Sequence, residues 1–226
     1  MGSVDVEEAL TAAESAVADG RGLAGTGFWQ AVHEVKAHPE LVERYASRIA
    51  RIDRAAFKDW AFFTIGVTPG TIIVTIGLLI GVVLVGLAYS LTGFAAVVVF
   101  YAGLGALLVT THGMAHLIVG GAVGIEFTDW FIGTIARPQP GVKVDYESYL
   151  RTAAGSRAWM HASGAIVTKV LPFVMIGSAI AADLPAWAVW LLPVVGIMTI
   201  VTDALWSTKA SDWKKYSREM SYARDN

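Results

Sequence analysis

The 226-residue chain contains no cysteine. Disulfides, thiolate metal ligands and thiol nucleophiles are therefore excluded, and any metal must be held by His, Asp, Glu or water. Charge is scarce too: Asp, Glu, Lys and Arg make up 16% of the residues against 55% hydrophobic ones. Soluble domains carry about a quarter charged residues, so an integral membrane protein is indicated. The net charge of -2 provides no basic face for a phosphate backbone, and nucleic acid is excluded as a partner. The first 60 residues lack a basic segment followed by an apolar run. No cleavable signal peptide is expected, and the first span would direct insertion into the lipid bilayer.

What the chain has instead is four long apolar runs, at Thr71 to Tyr89, Phe94 to about Val123, about Ala165 to Ala182, and Ala186 to Leu205. Each is near the length a helix needs to cross about 30 Å of hydrocarbon. Basic residues alternate along their connections. Arg44, Arg48, Arg51, Arg54 and Lys58 precede the first run, and the turn after it has none. Arg137, Lys143, Arg151 and Arg157 follow the second run, and the short loop at Asp183 has none. Lys209, Lys214, Lys215, Arg218 and Arg224 fill the tail. The positive-inside rule then places both termini in the cytoplasm. The expected fold class is an all-α integral membrane protein with about four transmembrane helices. A cytoplasmic N-terminal helical region precedes them, and a short strand-like segment follows the second span.

Three regions result: a cytoplasmic tail with amphipathic helices at 1–63, a four-span membrane domain at 64–206, and a basic cytoplasmic tail at 207–226. In the first, Phe28, Trp29, Val32 and Val35 recur at helical spacing until His38-Pro39 breaks the run. A second helix places Leu41, Val42, Tyr45, Ile49, Ile52, Ala56 and Phe57 on one side. Its other side, with Glu43, Arg44, Arg48, Arg51, Asp53 and Arg54, reads as a solvated face. Trp60, Phe62 and Phe63 suit an interfacial anchor, as do Trp206 to Trp213 in the tail, and Trp130 and Trp159 suit the inner membrane interface. Ile125 and Phe127 alternate with polar residues as in a half-buried strand, Pro138, Pro140 and Gly141 suggest turns, and Tyr146 to Met160 looks helical. Lys169, one turn inside the third run, is expected to extend back to the interface. Gly120-Gly121 is expected to permit close helix packing.

The chemistry-bearing stretch is Thr111-His112-Gly113-Met114-Ala115-His116, in the later half of the second run. Histidines four residues apart on a helix share a face, about 40° apart and one turn apart in height. Ionisable groups inside a membrane are costly and mark functional sites. The pair fits two buried imidazoles, two ligands of one metal, or one axial ligand of a haem whose partner would be His161. Asp203, near the inner end of the fourth run, shares their side of the membrane in the alternating topology. Two imidazoles, one carboxylate and a water form a common catalytic zinc set. Asp203 as an interfacial cap for the tail helix is the competing reading.

These residues resemble the site-2 protease family of intramembrane zinc metalloproteases. The likeness lies in His112-Gly113-Met114-Ala115-His116, Gly120, Gly124, Ile125-Glu126-Phe127 and Gly133, with His161-Ala162-Ser163-Gly164 before the third run. It covers 94–205, and it implies zinc held by His112, His116 and Asp203. Two features depart from the family pattern. Gly113 occupies the position of the general-base glutamate, and glycine cannot move a proton; losing such a base costs about 10²–10⁴-fold in rate. Asp203 is followed by Ala204 rather than glycine. The resemblance therefore implies a metal-binding pseudoprotease that holds a membrane-protein or peptide partner. The alternatives are an active hydrolase with a relocated base, from Glu126, Asp129, Asp145, Glu147 or His161, and a structural or small-molecule-binding membrane subunit.

Overall fold

The structure is a computed structural model and describes residues 5–135, 137–205 and 211–225. Trp206 and Lys209, expected in the tail anchor, lie outside the described residues. The elements run α1 (Val6–Ala18), α2 (Phe28–Ala37), α3 (Pro39–Trp60), β1 (Phe63–Gly66), α4 (Val67–Ala88), α5 (Gly93–Ala122), β2 (Phe127–Thr134), β3 (Arg137–Val144), α6 (Tyr146–Arg151), α7 (Ala154–Ala181), α8 (Ala186–Leu205) and α9 (Asp212–Asp225). They form two compact units, each built from several stretches of chain: 1–67 with 120–158 and 218–226, and 68–119 with 159–217. The sequence suggests contiguous regions. The units are instead discontinuous, because α5, α7 and α9 each begin in one and end in the other.

The first unit packs α1, α2, α3 and α6 around Leu10, Phe28, Val35, Ile49 and Leu150. Asp5 caps α1, accepting from the backbone N–H of Glu7 at 2.9 Å and of Glu8 at 3.2 Å, which satisfies two donors that the first turn leaves unpaired. Pro39 opens α3 at its first turn, where a missing N–H costs nothing. The face of α3 expected to be solvated is only partly so. Asp53 is buried, 2.5 Å from Lys143.

Besides its helices this unit holds a three-stranded antiparallel sheet in the order β1-β2-β3. The all-α expectation is corrected to a mostly helical fold with a small sheet. The strand anticipated after the second run is β2, but both of its neighbours are additions. Phe63, whose sequence context suits an anchor, pairs with Ile132 in β1. The turn-like Pro140 and Gly141 lie in β3, opposite Ile132 and Phe131. Proline is tolerated there because β3 is an edge strand. Gly141 is required: a Cβ would stand 2.7 Å from Phe131 Cζ. That ring also packs edge-on to Phe57, 5.0 Å between centroids. Trp130, expected at the membrane surface, is buried in β2.

Among the described residues, four helices are long and apolar enough to cross a membrane: Val67–Ala88, Gly93–Ala122, Ala154–Ala181 and Ala186–Asp203. They make up most of the second unit. Val83, Phe94 and Trp190 are 65%, 74% and 73% exposed, so the outward faces are apolar and call for lipid rather than water. The helices α4 and α5 approach closely. A Cβ on Gly103 would lie 2.8 Å from the Gly81 carbonyl oxygen. This is the small-residue contact expected between membrane helices. It falls at Gly81 and Gly103, whereas Gly121 faces open space. The end of α5 is set by Gly124, which adopts φ +88°. Its position lets the Ile125 N–H reach back to the Gly120 carbonyl at 2.9 Å, a glycine C-cap.

Candidate metal centre

Helical spacing places His112 and His116 on one face of α5, where their rings meet edge to face with centroids 4.8 Å apart. Their Nε2 atoms are 3.2 Å apart. The third member is Asp212, the first residue of α9, whose Oδ2 lies 3.3 Å from His112 Nε2 and 3.3 Å from His116 Nε2. The three donor atoms thus form a nearly equilateral triangle. Zinc bonded at about 2.0–2.1 Å in tetrahedral geometry separates neighbouring ligand atoms by about 3.3–3.4 Å, so the triangle matches the ion.

The surroundings fix the donor atoms. His116 Nδ1 donates to the Met160 carbonyl at 2.7 Å. A carbonyl only accepts, so Nδ1 carries the proton and Nε2 of a neutral ring offers its lone pair to the centre. The same carbonyl accepts from Ser163 Oγ at 2.7 Å. Gly164 supplies the space. A Cβ there would fall 2.5 Å from His116 Nε2 and 3.0 Å from His112 Cε1. His116 is buried, whereas the His112 side chain is 35% exposed, which leaves one approach open.

Burial pushes the Asp212 carboxyl up. When the imidazoles are protonated and no metal is bound, hydrogen bonds from His112 and His116 and the nearby positive charges outweigh it and hold the group well below the usual carboxylate range. Its other oxygen, Oδ1, is 3.4 Å from Lys215 Nζ. Three electron-pair donors converging in this way require a cation between them, either a metal ion or a proton.

Of the anticipated site residues, His112 and His116 come together. Asp203 does not join them. It is paired with Lys169 Nζ at 2.6 Å, and that ammonium also lies 5.7 Å from the Trp213 ring centroid. Lys169 therefore finds a carboxylate inside the unit instead of reaching back to the interface, because two opposite charges in apolar surroundings offset each other's desolvation. His161 sits on α7 beside Met160 and outside the donor triangle. Glu126 is exposed, with its backbone N–H bonded to Ser148 Oγ and its carbonyl to the Asp145 N–H. Among the described residues, the group that could hold a metal ion is His112, His116 and Asp212. Asp212 lies in the tail that the sequence presents as a basic anchor. Its only sequence signal is a carboxylate opening an amphipathic helix.

Comparison with protein families, curated proteins and solved structures finds no match to this chain.

Proposed function

We propose that this chain is a multi-pass membrane protein that binds a divalent transition ion, zinc by its donor chemistry, at His112, His116 and Asp212. The observation that carries this reading is the donor triangle with edges of 3.2, 3.3 and 3.3 Å. Two imidazoles and one carboxylate suit zinc, and a fourth position open beside His112 would give the ion Lewis-acid capacity when bound.

The chain also resembles the site-2 proteases, a likeness supported by the histidine pair on a long apolar helix and by a strand after that helix. The third ligand differs from the family's, coming from α9 instead of the last span. Gly113 leaves the position of the general base without a proton acceptor, so the protein is a metal-binding pseudoprotease that engages a peptide or membrane-protein partner without cleaving it. Both termini face the cytoplasm by the distribution of Lys and Arg.

The test is metal analysis of the full chain purified in detergent without chelator. About one zinc per chain is expected, lost in His112→Ala and in Asp212→Ala but retained in Asp203→Ala. A metal-free wild type that also fails to take up added zinc, or retention in Asp212→Ala, would sink the proposal. Peptidase activity is expected to be absent from the wild type. Its appearance in Gly113→Glu would support the protease-like ancestry.

A further inference from the structure

A second cluster of charge lies in the sheet-containing unit, independent of the metal centre. Glu219, fully buried, accepts from Lys36 Nζ at 2.6 Å and from Arg157 Nε at 2.7 Å. Both cation side chains are only 5% exposed. Arg157 Nη1 also donates to the Leu150 and Thr152 carbonyls at 3.3 and 2.7 Å, but those are neutral groups: one carboxylate serves two buried cations, and Arg218 adds a further positive charge near Lys36. The phenol rings nearby add no negative charge, since burial pushes both Tyr146 and Tyr149 up and keeps them neutral. Burial pushes Lys36 down to about 8, and Glu219 offsets only part of that cost. An uncompensated charge in low dielectric is expensive, and the usual remedy is a counter-ion.

The space for one is present. Lys36 and Arg157 line a cleft of about 450 Å³ together with Glu43, Arg151, Thr152 and Gly155. The negative charge in that wall is already used: Glu43 is held by Arg151 at 2.6 Å. A Cβ placed on Gly155 would meet no other atom within 4 Å, so the cleft is open at that point. Guanidinium and ammonium groups lining one cavity suit a tetrahedral oxyanion.

We propose that this cleft binds a phosphoryl group, carried either by a soluble phosphate compound or by an anionic lipid headgroup. The anion supplies the negative charge that Glu219 alone does not, and Lys36 and Arg157 are its donors. Gly155 keeps the cavity clear.

The test is calorimetric titration of the full chain in detergent with inorganic phosphate, at ionic strength held constant with chloride. A parallel arm compares thermal stability in nanodiscs of phosphatidylcholine with and without phosphatidylglycerol. Saturable phosphate binding, at least about tenfold weaker in Gly155→Asp, supports a site for soluble phosphate compounds. Stabilisation only by phosphatidylglycerol, absent in Gly155→Asp, supports the headgroup. That variant adds a carboxylate to open space at a helix start, where acidic residues are favourable, so its own melting temperature should not fall. No response in either arm, or a response unchanged by Gly155→Asp, overturns the proposal.

Discussion

The two charged clusters are mirror images in their chemistry. At His112, His116 and Asp212 three electron-pair donors converge, and Lys215 sits on the other Asp212 oxygen, outside the triangle. At Lys36, Arg157 and Glu219 two cations converge on a single carboxylate. Each takes its carboxylate from α9, Asp212 in one and Glu219 in the other. The first cluster is proposed to take a positive ion and the second a negative one. Both are buried enough that an imbalance of one charge matters. A buried ionisable group is thus understood from what its neighbours leave uncompensated, and its own identity says less.

The contrast breaks most readily at Glu219. Glu219→Gln leaves Lys36 and Arg157 buried without their counter-charge and should destabilise the sheet-containing unit by about 3–5 kcal/mol. Thermal unfolding followed by circular dichroism measures this, and a change under about 1 kcal/mol would mean that the two cations are compensated elsewhere.

Next in size is Gly164→Ala. Its methyl would press against His116 Nε2 while leaving all three ligands in place. Zinc affinity, read by competition with a chromophoric chelator, should fall about 10–100-fold, as for other residues that position metal ligands. Helix content should stay constant. Unaltered affinity would show that the imidazole is not held where the triangle needs it.

The clusters should also separate by pH. The charges of Lys36 and Arg157 outweigh burial and hold the Glu219 carboxyl down, to about 2 from its ordinary 4.5. Its folded pKa is therefore depressed. The stability it contributes is fully present above about 4.5 and lost as pH falls toward 2. Acid titration of the melting temperature should show that loss in the wild type and a flatter profile in Glu219→Gln. A profile that is identical in both would reassign the acid sensitivity to other carboxylates.

The metal centre should respond least to Asp203→Asn. That change removes the partner of Lys169 and should lower stability, yet the proposed zinc content should not change because Asp203 lies outside the donor triangle. Loss of zinc in this variant would return Asp203 to the role the sequence suggests.

Much of this arrangement is legible in the chain itself. Four long apolar runs identify the helices long and apolar enough to span, since each sustains hydrophobicity over about the 18 or more residues that a bilayer crossing needs. His112 and His116 are visible as a pair because 3.6-residue periodicity is local. Gly113 is informative for the same reason, being placed by its neighbours in sequence. The third member of the donor triangle is not legible. Local context favours Asp203, at the end of an apolar run, over Asp212 in the charged tail, and both lie far from the histidines along the chain. Lys36 and Asp53 look like ordinary surface charges on amphipathic helices. Only packing against α9 and β3 buries them. The β3 strand is obscured by its own prolines, which an edge position accommodates.

Composition and local periodicity dictate the helical apolar segments, the absence of thiol chemistry and the pairing of two imidazoles on one face. These follow from residue counts and from repeats set by the backbone. Only the packed chain shows that Asp212 completes the triangle while Asp203 neutralises Lys169, and that Glu219 is shared by two cations. Long-range charge pairing depends on which helices meet. A side chain's local spacing carries no record of that.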